Sequence, residues 1–576
     1  MITKKILLVL IASLLCLSKI SFSQNKAEKI DDLLKRYNEY GLFNGSALVA
    51  ENGKVIFKSG YGFANMEWKV PNTPDTKFRI GSISKQFTAT IIMQLVEEGK
   101  IKLDGKLTDY LPNYRKDTGD KVTIHELLNH TSGILSYTSM PNVWSDSLRN
   151  HYDQDYMIKH FHSGDLQFEP GTQYTYNNTG YYLLGVIAEK VTGKKLGQLL
   201  KERIFAPLEM TNTASEDDEI VIDKKASGYL KFGKSYRLDP YFYMPNVLGA
   251  GQMYSTVEDM VKWDQVLYTN KILSEESKEK MFTPYLANYG YGWGISTDTI
   301  KGTNEITKIT AHSGGINGFN TFFIRLLKNK QMIAIFSNAG NAPLNEMAGE
   351  IINILYDQKF NYPKKTISDV IADVIDKDGI DAAIDKYRKL KELENDNYDF
   401  SENQLNTLGY SYLQKGDVEI ALAVFKLNIE AFPKSFNPYD SYAEALMTNG
   451  DKDEAIKYHE KSLELNPGNT NGIEQLKKLG VEYKAEELKI DNSILSKYMG
   501  QFQLAPNFII TIRVDGDKIF AQATAQQEFE IFPTSETKFY YKVVNAQIEF
   551  VKNEKGDFSK LILYQNNREM PAERIK

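Results

Sequence analysis

The chain has one cysteine, Cys16, among 576 residues. Cys16 lies in the apolar run Ile6 to Leu17, which follows Lys4 and Lys5 and precedes the small residues Ser21 and Ser23. This is the pattern of an export signal that is removed. Cleavage after Ser23 leaves no cysteine, which excludes disulfides, thiolate catalysis and cysteine-bound zinc. Leu15 precedes Cys16 where a lipid-modified cysteine calls for a small residue, so that alternative is weaker. The run spans 12 residues, too few to cross a bilayer, and no other apolar run is long enough. The expected product is exported, periplasmic or secreted, and not membrane-spanning. An excess of one charge sign is also missing: the net charge is −6, both signs are interspersed, and no basic tract suggests a nucleic-acid partner. No G-x-S-x-G occurs, so an α/β-hydrolase nucleophile elbow is unsupported.

Several stretches imitate sites without completing them. "GYLKFGKS", Gly228 to Ser235, fits the phosphate-loop pattern, but the following "YRLDPYFYMPN" has two prolines and no helical period. A phosphate loop must open a helix, so a hairpin or surface loop is expected here. "HELLNH" has Asn129 where a metalloprotease helix needs its second histidine. His160 and His162 come without a third ligand. No metal and no cofactor is expected.

Three textures follow one another along the chain, giving a multidomain α/β protein. From residue 24 to 361, strand-like runs at both ends enclose helical patterns, which suggests one sheet assembled from distant parts of the chain. "SALVAENGKVIFKSGYG" reads as a hairpin turning at Asn52-Gly53. From 362 to 488 the residues favour polar helices, and Gly416/Gly450, Ala421/Ala455 and Pro433/Pro467 recur at a 34-residue interval. That is the period of tetratricopeptide repeats, which "GYSYLQKGDVEIALAVFKLNIEAFP" resembles. From 489 to 576 the pattern alternates with period two, with turns at Asp515-Gly516 and Lys555-Gly556, so a small antiparallel β barrel or curled sheet is expected.

The chemistry concentrates in "KFRIGSISKQFTATIIMQLVEEG". Phe87, Ile91 and Leu95 form an apolar stripe and Gly99 a stop, so a helix is expected from Ser82 to Glu98. Residues three apart share a helical face, so the Lys85 amine can reach the Ser82 hydroxyl. Alone, S-x-x-K is a chance-level pattern and favours a serine cap beside a solvated lysine. Two further stretches reverse that balance: "YTYNNTGYY", with Tyr176-Asn177-Asn178, and "TAHSGGINGF", with His312-Ser313-Gly314-Gly315 before the strand "NTFFIRLL". In order and spacing these resemble the serine β-lactamase and penicillin-binding protein-like hydrolases, the class C and D-aminopeptidase-like branch, marked by S-x-x-K, Y-x-N and K-T-G or H-x-G. "TIHELLNHTSGI" and "GAGQMYSTVEDMVKW" extend the resemblance, which covers about Lys26 to Tyr356.

The resemblance implies a β-lactamase-like antiparallel sheet with helices on both sides, and a role for each matched residue. Ser82 would be acylated and Lys85 would accept its proton. Tyr176 would carry protons to the leaving group and assist deacylation, and the sequence leaves open whether Lys85 or Tyr176 is the general base. Asn178 would orient the substrate amide. The amides of Ser82 and Gly315 would hold the oxyanion, with Ser313 and Gly314 lining the same edge. His312 stands where many relatives carry lysine, and a largely uncharged imidazole puts efficient β-lactam hydrolysis in doubt. The implied substrate is a small peptide, β-lactam-like compound or ester, and the barrel resembles the lipocalin-like domain often fused to such hydrolases. A second reading is a catalytically weak scaffold that binds a protein partner through its repeats.

Overall fold

The computed structural model describes residues 25–575 apart from 145, 218, 233–234, 394–395, 485–487, 506–507, 525, 545, 554 and 566–567. The expected export signal and Cys16 lie outside the described residues. The chain divides into two compact units, one running to Lys231 and resuming over Tyr236–Pro363, the other holding Phe232–Ser235 and the chain from Lys364 onward.

In the first unit, β1 (Gly45–Glu51) and β2 (Lys54–Tyr61) form the expected hairpin. Asn52 and Gly53 both have positive φ, 50° and 74°, as a two-residue turn between twisted strands requires. The sheet is completed from far along the chain by β3 (Gly294–Thr299), β4 (Ile306–Ile316), β5 (Phe319–Leu326) and β6 (Gln331–Ser337). The strand order is β3-β4-β5-β6-β1-β2, and every neighbouring pair is antiparallel. Side chains alternate between faces along a strand, so Leu48, Ala50, Ala334 and Phe336 join one core while Ala47, Val49, Ile333 and Ile335 join another. The first core contains helix α1 (Ser84–Glu97) and the second the helix Leu344–Leu355, with helices on both faces of the sheet as expected. The phosphate-loop imitation forms a two-stranded hairpin, Tyr229–Phe232 with Ser235–Leu238.

In the second unit, helices Glu402–Lys415 and Val418–Ala431 form one hairpin, and Asn437–Asn449 and Lys452–Leu465 form the next. Gly416 and Gly450 end the first helix of each hairpin in the left-handed region, at φ 88° and 93°, where glycine meets no steric penalty. Ala421 and Ala455 are fully buried at matching positions. The chain then closes an eight-stranded antiparallel barrel, from Gly500–Ala505 to Arg568–Arg574. Tyr498, Phe502, Phe539, Phe550 and Leu561 fill its core, as in other barrels of this strand number. Among the described residues no helix is long and apolar enough to cross a membrane.

Candidate active site

The expected helix start divides in two. Gly81–Ile83 form a 3₁₀ turn, and the α-helix begins only at Ser84. Gly81 has φ +51°, and a Cβ there would lie 2.8 Å from the amide nitrogen of Gly315. The backbone of β4 runs that close to the turn, which only glycine permits. Ser82 thus sits in a tight turn beside the strand, half-buried.

One turn into the helix, Lys85 is fully buried. Its Nζ lies 3.0 Å from Ser82 Oγ, 2.8 Å from Asn178 Oδ1 and 2.8 Å from the carbonyl oxygen of Ala250. It also stands over the rings of Tyr176 and Tyr181, 4.9 and 5.5 Å from their centroids. None of its three hydrogen-bond partners is a carboxylate, so burial holds the ammonium pKa well below the ordinary 10.5. A neutral amine keeps two N–H donors for Asn178 and Ala250 and presents its lone pair to the serine hydroxyl.

Asn178 opens helix α2 (Asn178–Thr192), which Asn177 caps by accepting the Gly180 N–H. The Asn178 side chain is engaged at both ends: Oδ1 accepts from Lys85 and Nδ2 donates to Thr138 Oγ1 at 2.9 Å. Its amide therefore holds the lysine and is itself held by Thr138. Tyr176 precedes the cap with 36% of its surface exposed. Burial of the hydroxyl pushes its pKa above the ordinary 10, and a hydrogen bond with Ser82 draws it the other way.

β3 pairs with β4 only as far as Ala311, so among the described residues no strand covers the edge from His312 to Ile316. Asn317 and Gly318, at φ 37° and 68°, close a two-residue turn between Ile316 and Phe319. The closing pair of such a hairpin bonds inward and its neighbours outward, which directs the Gly315 N–H to the open edge and the serine turn. Gly314 packs against the same turn: a Cβ there would lie 2.0 Å from the Ile80 carbonyl oxygen, whereas one on Gly315 would meet nothing within 4 Å. Thr321 Oγ1 lies 3.0 Å from the Ile80 carbonyl and 3.3 Å from that of Gly314, tying turn and strand together. Ser313 and Gly315 are exposed, His312 and Gly314 buried, by simple strand alternation.

His312 does not act as a cation here. Its Nδ1 lies 2.6 Å from the Ser313 carbonyl, which fixes the proton on Nδ1, and Tyr289 then donates its hydroxyl to Nε2 at 2.8 Å. Burial first, then the charge that Lys85 carries when protonated, lower the imidazole pKa to about 4 against the bond to Ser313.

Tyr289, Ala250, Thr138 and His130 are parts of this arrangement that the motif reading did not single out. Ala250 and His130 fall in flanking stretches already noted for their resemblance, "GAGQMYS" and "NHTSGI", and that context is the one signal that could have found them. The two histidines without a third ligand lie apart in character: His160 is exposed, while His162 is buried and stacks on Tyr182 at 4.1 Å.

Comparison with known proteins gives the chain's family. The Beta-lactamase family matches residues 30–355, more than half of the chain, and a domain of unknown function, DUF3471, matches residues 484–574. Penicillin-binding protein 4* of Bacillus subtilis (strain 168) is 25% identical over 574 residues, covering 96% of this chain and 100% of that protein. The teichoic acid D-alanine hydrolase of Staphylococcus aureus is 30% identical over 269 residues, 46% of this chain and 60% of that protein. The octameric penicillin-binding protein homologue from Pyrococcus abyssi shares the fold over 95% of this chain and 99% of its own, with a TM-score of 0.51 and 21% identity. The chain belongs to the beta-lactamase family and is a serine hydrolase of the β-lactamase and penicillin-binding protein type.

Proposed function

We propose that the enzyme hydrolyses esters or amides of D-amino acids, and peptidoglycan-type peptides less readily, through an acyl-enzyme on Ser82. The observation that carries this reading is the fully buried Lys85 amine 3.0 Å from Ser82 Oγ, with no carboxylate among its hydrogen-bond partners. The neutral amine takes the Ser82 proton as Oγ bonds to the substrate carbonyl carbon. The carbonyl oxygen, now an oxyanion, accepts from the amides of Ser82 and Gly315, which are worth most in a water-poor cleft. As the carbon–heteroatom bond breaks, Tyr176 delivers a proton to the leaving group and recovers one from Lys85. Water then attacks the acyl-enzyme, gives up its proton along the same path, and frees the acid and Ser82.

The uncharged His312 narrows the substrate. With its pKa lowered to about 4, it offers no fixed positive charge to a carboxylate at neutral pH. Substrates without a carboxylate next to the scissile bond suit this edge better than β-lactams or peptides ending in D-Ala-D-Ala, in line with the relative named as a teichoic acid D-alanine hydrolase. A panel of D-amino-acid esters and amides, D-Ala-D-Ala peptides and a chromogenic β-lactam tests this. Turnover of the esters or amides, lost in Ser82→Ala, is expected. Efficient β-lactam turnover with none of the others would overturn it.

The same reading assigns residues 1–23 to an export signal and 24–361 to the hydrolase. Residues 362–488 would be tetratricopeptide-like repeats able to hold a protein partner, and 489–576 a lipocalin-like barrel. The two matching helical hairpins with glycine caps at φ 88° and 93° support the repeat assignment.

A further inference from the structure

His130 is the centre of an aromatic cluster that the chemistry above leaves without a role. It is 1% exposed and holds φ at +65°, a conformation few non-glycine residues adopt. Its ring centroid lies 4.4 Å from that of Tyr176, 4.5 Å from Tyr289, 5.2 Å from Tyr181 and 5.9 Å from Tyr174. Nδ1 accepts the backbone N–H of Asn177 at 3.1 Å, which places the ring proton on Nε2. That Nε2 is buried and, among the described residues, has no hydrogen-bond partner. A buried donor left unpaired is unfavourable, and a residue that only filled space would be better as an apolar ring. What an apolar ring lacks is the Nδ1 acceptor.

The cluster joins elements far apart in sequence. Asn177 lies between Tyr176 and Asn178, and Asn178 Oδ1 holds Lys85. Tyr289, against the same imidazole, donates to His312. Burial holds the His130 imidazole pKa well below the ordinary 6.5, and the titratable groups around it are Lys85 and His312, either of which opposes its protonation when protonated itself, and the four tyrosines. The ring is therefore neutral, as its bond from Asn177 requires.

We propose that His130 is the positioning residue for Tyr176: its imidazole backs the phenol ring, and its Nδ1 anchors the backbone that joins Tyr176 to Asn178. This rests on the reading that Tyr176 protonates the leaving group. The ring fixes where the hydroxyl points, and the Nδ1 bond fixes where helix α2 begins.

The test uses the full chain and two esters of D-alanine, methyl with a poor leaving group and p-nitrophenyl with a good one. Proton delivery matters for the first and little for the second, so the ratio of their kcat/KM values reports Tyr176 directly. Tyr176→Phe is expected to lower the methyl-to-p-nitrophenyl ratio by about 100-fold. His130→Asn keeps an acceptor at the Nδ1 position and suits a positive φ, but removes the ring, so it is expected to lower the ratio by about 10-fold. His130→Phe keeps the ring and loses the acceptor, so its ratio is expected to stay within about twofold of wild type while Tm falls. A general loss of structure would lower both esters together and leave the ratio unchanged. The proposal is overturned if Tyr176→Phe shifts the ratio and His130→Asn does not. Should His130→Asn fail to fold, His130→Gly, which also suits φ +65° and removes the ring, takes its place, and an unchanged ratio there overturns the proposal. An unchanged ratio in Tyr176→Phe removes the reading of Tyr176 itself, and the role of His130 with it.

Discussion

Lys85 has three neutral partners and two aromatic faces, and from these its behaviour with pH follows. Burial lowers its folded-state pKa below the unfolded 10.5, so in that window the unfolded chain binds a proton that the folded chain does not. Stability then rises with pH across the window and stops rising above 10.5. Denaturant titrations should show wild type gaining on Lys85→Met as pH increases from neutral, and parallel curves would contradict this. His162 follows the same rule at lower pH: burial takes it from 6.5 to about 3, so it withdraws stability as pH falls between those values. His162→Gln should flatten that part of the acid-unfolding curve. In activity, Lys85→Arg is expected to lower acylation by about 10²–10⁴-fold, because a guanidinium cannot give up its proton to serve as base. At this scale the sequence was informative where residues are local. Ser82 and Lys85 are three apart, a spacing that turn and helix preserve. The pairing of His130 with Tyr289 was not legible, since loop packing and no periodicity brings those positions together.

The helix start and the edge of β4 meet through glycines, and two substitutions separate fold from chemistry there. A Cβ on Gly314 would lie 2.0 Å from the Ile80 carbonyl and 2.4 Å from Thr321 Oγ1, so Gly314→Ala must push the strand off the serine turn. We expect it to lose about 1–3 kcal/mol of stability and most activity. Gly315→Ala meets nothing within 4 Å, so its Tm should match wild type while turnover falls, because the new methyl enters the substrate edge. Thermal melts and initial rates on the two proteins check the contrast, and equal losses of Tm would refute it. The sequence showed the strand, and "HSGG" showed small residues where backbones approach. It did not show that the chain forms a 3₁₀ turn at Gly81–Ile83 before the α-helix, because that turn depends on a left-handed Gly81 held against a strand more than 200 residues away. The hairpin at Tyr229–Phe232 and Ser235–Leu238 was legible from the missing helical period, despite the phosphate-loop letters.

At the scale of the whole molecule, each of the two units has cores of its own, built from different parts of the chain. Calorimetry should therefore resolve two transitions, and a covalent ligand on Ser82 should raise only the one that belongs to the first unit. A single transition raised as a whole would mean that the units unfold together. The change of texture from mixed α/β to polar helices to alternating strands was readable from the sequence, because periodicity is a local property of each segment. Order within the sheet was less so, since β6 reaches β1 across nearly the whole first unit. The central claim is that Ser82, activated by Lys85, forms a covalent intermediate. Intact-mass spectrometry after mixing with a fluorophosphonate tests it most directly: one adduct that maps to Ser82, absent in Ser82→Ala and formed at least about 100-fold more slowly in Lys85→Ala, is the expected result. An adduct on another residue, or the same adduct and rate in Ser82→Ala, would contradict it.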